Sequence, residues 1–243
     1  MKKHIPNLIT LANLFLGCLA ILGILSGQHI LVFWMLLVAG FLDVGDGVAA
    51  RILKVKSEMG KELDSLADMV TFGVVPGIAM VYLLKMAYCP DTGWLEGSCW
   101  MPYIGFLITI AAAYRLAKFN IDTRQSNSFL GVPTPANTAF FIGLYMVYEA
   151  NVLGLGDFMM ANAWLLIVFT VVCSYLLISE IPMFSFKMKK SGWSGNEIQY
   201  SFIIVALILV ILLITTSLSW LAISLGFVLY LIFSLFDIYV LKR

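Results

Sequence analysis

The chain is poor in charge. Of its 243 residues, 12% are Asp, Glu, Lys or Arg and 61% are hydrophobic, with a formal net charge of +1. An average globular domain has about 25% charged and about 45–50% apolar residues. This apolar excess excludes a disordered chain, and the balanced charge argues against a nucleic-acid partner, which needs a basic surface. Cysteine is scarce as well. Four are present, none in a CxxC or Cys/His spacing, which excludes a disulfide-rich scaffold and makes a zinc site a poor fit. Cys18 and Cys173 lie in apolar runs as small hydrophobes, while Cys89 and Cys99 flank a short polar loop, where pairing is left open. The two histidines, His4 and His29, stand at segment ends and read as interfacial polar residues. What the chain has in abundance is apolar runs, with a mean hydropathy of +0.97.

Crossing a bilayer takes about 20 apolar helical residues. Eight stretches qualify, at 6–25, 30–52, 62–86, 102–120, 135–152, 160–180, 199–217 and 219–240. The expected fold class is an all-α, polytopic membrane protein, with residues 1–243 forming a single integral-membrane domain. The first stretch resembles a signal peptide but is long for one, and no cleavage site follows it. With the N-terminus placed in the cytoplasm, fourteen of the fifteen Lys and Arg fall on cytoplasmic ends or loops. Lys85 alone falls on the other side, with Asp91, Glu96, Glu149 and Asp157. That bias predicts eight crossings with both termini in the cytoplasm.

The informative stretch is 41–77, FLDVGDGVAARILKVKSEMGKELDSLADMVTFGVVPG. Asp43 and Asp46 are three apart, and Asp64 and Asp68 four apart, so each pair shares a helix face. About ten residues, Ile52 to Lys61, join the two helices, which must be antiparallel neighbours. The four carboxylates then converge. Asp43 lies thirteen steps from Ile30, about 20 Å along a helix, and so inside the nominal bilayer. A charge there costs about 2.5–3.5 kcal/mol on insertion scales. Arg51 and Lys61 flank the cluster, but two divalent cations would neutralise it. Oxygen ligands without His or Cys suit Mg²⁺, Mn²⁺ or Ca²⁺. Gly45, Gly47, Ala49, Ala50, Gly60 and Gly73 fit either tight helix packing or close approach of a ligand. Two metals on carboxylates commonly clamp a diphosphate, and at a membrane surface a lipid diphosphate is the natural substrate.

Asp43-x-x-Asp46-Gly47-x-x-Ala50-Arg51, eight residues, then Gly60-x-x-x-Asp64-x-x-x-Asp68 resembles the signature of the CDP-alcohol phosphotransferases at every fixed position. The resemblance implies their fold, two divalent metals per site (Mg²⁺ or Mn²⁺), and Asp43, Asp46, Asp64 and Asp68 as metal ligands. It makes Asp68 the general base as well. Gly47, Ala50, Arg51 and Gly60 would line a cytidine and phosphate pocket. The opening IPNLITLANLFLGCLAI is similar to the first helix of the phosphatidylserine synthase branch, which implies nucleotide contacts for Pro6, Asn7 and Thr10. Helix initiation by Pro6, with Asn7 and Thr10 serving the first turn, explains those residues too. Residues 114–137, YRLAKFNIDTRQSNSFLGVPTPAN, resemble the same branch, with Lys118 where its pattern usually has arginine. Arg115 and Lys118 share a face and could bind phosphate or an amino-acid carboxylate, or merely anchor the helix end. Pro133 and Pro135 force a break before the fifth helix.

The resemblance implies an enzyme that transfers a phosphatidyl group from CDP-diacylglycerol to the hydroxyl of L-serine, releasing CMP. It also implies a homodimer and a site facing the cytoplasm. Glycerol phosphate or inositol phosphate as acceptor, or an archaeol lipid, is the alternative. A cation-coupled transporter would show inverted repeats, and no second acidic cluster exists in 140–243. Residues 199–240 add apolar helices without a chemical motif.

Overall fold

The computed structural model describes residues 4–55, 57–95, 99–122, 129–183, 197–214 and 220–239. Much of the basic bias, including Lys2, Lys3, Lys56, Arg124, the 187–190 group, Lys242 and Arg243, lies outside these residues, as does Glu96. The elements are α1 (Ile5–Leu25), α2 (His29–Ile52), α3 (Glu58–Asp68), a π-helix (Met69–Val74), α4 (Val75–Tyr88), a 3₁₀ turn (Met101–Gly105) and α5 (Phe106–Ile121). There follow β1 (Phe129–Leu130), α6 (Thr134–Glu149), a 3₁₀ turn (Val152–Gly154), α7 (Leu155–Ala161), α8 (Trp164–Ile178), β2 (Pro182–Met183), α9 (Glu197–Ile214) and α10 (Leu221–Tyr239).

Each of the eight apolar stretches contains helix. Among the described residues, four helical spans are long and apolar enough to cross a membrane: Ile5–Leu25, His29–Ile52, Glu58–Tyr88 and Met101–Ile121. The pair Thr134–Glu149 and Val152–Ala161, bent by 104°, makes a fifth if counted as one. The third span starts at Glu58, four residues before its expected position, because the Ser57 hydroxyl accepts the Gly60 N–H at 2.9 Å and caps the helix. The connection from α2 to α3 is therefore Leu53–Ser57, shorter than the ten residues read from the sequence.

Outward faces are apolar. Leu8, Phe15 and Leu22 on α1, and Phe41, Val44 and Ile52 on α2, are all exposed, as lipid contact requires. The interior packs α1, α4 and α6 around Ala20, Ile24, Val75, Met80, Leu84, Phe141 and Tyr145. Two short strands close the structure at one end. β1 pairs antiparallel with β2, and the Val132 N–H donates to Leu176 O at 3.1 Å. Gly131 makes this possible, with φ +74 and no room for a Cβ, which would stand 2.7 Å from Leu177 O. The segment before α6 is thereby held against the end of α8. α6 begins at Thr134 with Pro135 in its first turn, the break that the two prolines predicted.

At the opposite end, Cys89 and Cys99 form a disulfide with Cα atoms 6.4 Å apart. The pairing left open in the sequence is thus present. Lys85 is buried beside it, donating to Cys89 O at 3.4 Å and lying 5.1 Å from the Trp94 ring centroid.

Candidate active site

Helix α2 ends in a Schellman turn. The Val55 N–H donates to Ala50 O at 3.0 Å and the Lys54 N–H to Arg51 O at 3.2 Å, with Lys54 left-handed at φ +53. The turn returns the chain as α3, whose acidic face meets that of α2. Carboxylate oxygens of Asp43, Asp64 and Asp68 all lie within 4.8 Å of one another. Asp46, which is buried, accepts the Thr10 hydroxyl at 2.5 Å and so faces α1. The hairpin thus brings three of the four aspartates into one cluster and sets the fourth at its edge.

The cluster fits a divalent cation. Three carboxylates this close repel one another, and a cation among them would relieve that repulsion. Asp68 Oδ1 is buried with no hydrogen-bond partner, and every donor is a hard oxygen.

A cavity of about 610 Å³ adjoins it, lined by Pro6, Asn7, Thr10, Asp46, Gly47, Ala50, Gly60 and Asp64 among others. Asn7, Thr10, Gly47, Ala50 and Gly60 therefore surround one space. A Cβ on Gly60 would meet Ser57 Oγ at 2.9 Å and Asn7 Oδ1 at 3.2 Å, so α1 and α3 approach here as glycine allows. A Cβ on Gly47 would meet only the Arg51 guanidinium, at 3.8 Å. Protein packing does not demand that glycine; the space beside it belongs to the cavity. Arg51 is exposed, is not among the lining residues, and its Nε donates to Gly47 O at 3.2 Å. Ser57, Glu58 and Lys61 line the cavity too. Ser57 was missed, although Ser-x-x-Gly ahead of an acidic helix is a readable cap. Lys61 is held by Asn120 O at 3.1 Å.

Immediately after Asp68 the helix widens into the π-turn. Pro76 has no N–H to return to Phe72 O, and the Thr138 hydroxyl donates there instead, at 2.9 Å. The Thr109 hydroxyl likewise serves Gly73 O at 3.0 Å. Thr71 bonds the Asn13 side chain at 3.0 Å. Side chains of α5 and α6 and the Asn13–Thr71 contact with α1 thus satisfy backbone and polar groups next to the acids. π-Turns occur frequently at functional sites.

Arg115 and Lys118 part company. Arg115 is 8% exposed, its Nε has no partner, and it lies within electrostatic reach of Asp68. Lys118 pairs with Glu180 at 2.7 Å near the β1–β2 clasp.

Residues 3–175 match the family model described as CDP-alcohol phosphatidyltransferase. The chain belongs to that family. It is 35% identical over 185 residues to the CDP-diacylglycerol-serine O-phosphatidyltransferase of Bacillus subtilis, covering 76% of this chain and 92% of that protein. The Helicobacter pylori protein of the same name is 33% identical over 188 residues, covering 76% and 73%. Archaetidylserine synthase of Methanothermobacter thermautotrophicus is 28% identical over 165 residues, covering 67% and 66%. In this CDP-alcohol phosphatidyltransferase, Asp46 and Asp64 of the α2–α3 hairpin line the cavity beside α1.

Proposed function

We propose that the chain transfers the phosphatidyl group of CDP-diacylglycerol to L-serine, giving phosphatidylserine and CMP. The observation that carries the reading is the convergence of Asp43, Asp64 and Asp68 beside a cavity large enough for a nucleotide headgroup. The names of the relatives support the choice of substrates.

Asp43, Asp46, Asp64 and Asp68 would hold two divalent cations, Mg²⁺ or Mn²⁺. When bound, these would clamp the diphosphate and offset the charge that develops on the departing phosphate. The chain supplies the rest. Asn7, Gly47, Ala50 and Gly60 shape the nucleotide cavity, and Arg51 guards its rim. Thr10 orients Asp46 through its hydroxyl. Asp68 accepts the proton of the serine hydroxyl as the serine oxygen bonds to the β-phosphorus. The bond from that phosphorus to CMP breaks, and CMP leaves. Arg115, beside Asp68, suits the carboxylate of the acceptor.

In this reading the whole chain, 1–243, is one membrane-embedded catalytic domain of about eight crossings. Its termini and its acidic end face the cytoplasm, and it works as a homodimer. Proteolysis of sealed inverted and right-side-out vesicles tests the orientation, and light scattering in detergent tests the dimer.

The deciding experiment is CMP release from CDP-diacylglycerol by the purified chain, with and without Mg²⁺ or Mn²⁺ and L-serine. Release that needs both is expected. Metal-dependent release stimulated only by glycerol phosphate or inositol phosphate would discard the serine assignment. The likeness to an archaetidylserine synthase supports a second donor, and CDP-archaeol belongs in the same assay.

A further inference from the structure

A second group of buried polar side chains lies on α5, α6 and α10, the last beyond the family-matched 3–175. Asn137, on the first turn of α6, is fully buried, and neither atom of its side-chain amide has a partner. Buried amides without partners are rare and cost about 1–3 kcal/mol, so such a group marks an interior that something polar completes. Arg115, more than nine-tenths buried, offers an unpartnered Nε and lies within reach of Asp68 on one side and Tyr230 on the other. Tyr230 is buried on α10 and hydrogen-bonded to Ser234.

The register of α6 against α10 ties these groups together. The Ser224 hydroxyl donates to Phe140 O at 3.1 Å, and the Phe140 and Phe227 ring centroids are 4.9 Å apart. The helices run antiparallel, so one further turn brings Asn137 level with Tyr230. Arg115 thus links Asp68 to Tyr230, and Asn137 stands level with Tyr230 across the α6–α10 seam.

We propose that these buried groups form the acceptor subsite, with Arg115 and Asn137 receiving the carboxylate and ammonium of a small zwitterionic amino alcohol and Tyr230 positioning Arg115 from α10. The inference rests on the proposed transfer reaction and names the part of the chain that selects the acceptor. An amino acid needs one cation for its carboxylate and a neutral acceptor for its ammonium, which Arg115 and the Asn137 carbonyl supply. A phosphorylated acceptor needs more positive charge. Lys118 and Lys61 are both engaged elsewhere, with Glu180 and Asn120.

The test measures CMP release by the full chain in detergent, with L-serine and CDP-diacylglycerol each titrated. Asn137→Ala should raise the KM for serine about tenfold or more and leave the KM for CDP-diacylglycerol within about twofold. Tyr230→Phe should raise the serine KM by a smaller factor, and Ile232→Ala, on the outward face of α10, should change neither. Equal shifts in both KM values, or none, would overturn the proposal. If a variant fails to fold, the unaltered chain still decides. Serinamide and N-acetylserine keep the hydroxyl but lose one charge each, and both should fail as acceptors. Either one serving as well as serine overturns the subsite. No response of the unaltered chain to serine overturns the transfer reading itself, and this inference with it.

Discussion

The two ends of the helical bundle treat buried polarity in opposite ways. At the disulfide end, Lys85 is as buried as Arg115 but has both a carbonyl and an aromatic face to meet its charge. Glu149 stands there among Tyr82, Tyr145 and Tyr148. At the acidic end, Asp68, Arg115 and Asn137 each have buried atoms without a partner. Asn13 and Ser174, the remaining cases among the described residues, lie in the same half. Leaving such atoms unsatisfied costs stability, and the contrast between the ends supports the proposal of a ligand at the second.

That contrast can be broken, and removing an acid tests it hardest. Asp64→Ala should lower CMP release by at least about 100-fold, because on the proposed function a ligand of the metal is lost. Its melting temperature without metal should hold or rise, because like charges no longer crowd the hairpin. EDTA should abolish release by the unaltered chain, and Mg²⁺ or Mn²⁺ should restore it. A variant that turned over normally would erase the distinction between the ends. Reducing the Cys89–Cys99 bond acts on the other end. Closing a loop with a sequence separation of 10 is worth about 2–3 kcal/mol in the chain-entropy view, so the melting temperature should fall while release at 25 °C persists. Thr138→Val removes the donor to Phe72 O and should cost about 1–2 kcal/mol, with some loss of turnover because that carbonyl supports the turn after Asp68. Smallest is Lys54→Gly, which relieves a left-handed residue in the hairpin and should stabilise by less than about 1 kcal/mol in a detergent melting curve.

The acids were legible in the sequence because charge inside a bilayer is costly enough to demand a reason, and spacings of three and four carry a direction around a helix. The lining by Asn7, Thr10, Gly47, Ala50 and Gly60 followed from the family signature and the first-helix resemblance. Other features depend on long-range geometry. Asp46 turns toward Thr10 because α1 crosses there, which spacing on α2 cannot reveal. Arg115 and Lys118 share a helix face, and only the fold shows one buried beside Asp68 and the other drawn off by Glu180, 62 residues away. The α3 start moved by one turn because a serine cap outweighed hydropathy. Residues 199–240 read as featureless, since Tyr230 and Ser234 gain meaning only from what they face.

The π-turn has a consequence for phase. A π-turn is an α-helix carrying one surplus residue, and each residue of an α-helix advances it by about 100°. Met69–Val74 therefore acts as a gear between two stretches of one span, one aimed at the acids and one at the apolar interior. Excising one residue there would restore a regular helix with nothing lost in apolarity. It would also turn Asp64 and Asp68 about a quarter of the way round relative to α4, away from Asp43. In this span, chain length is itself a catalytic parameter.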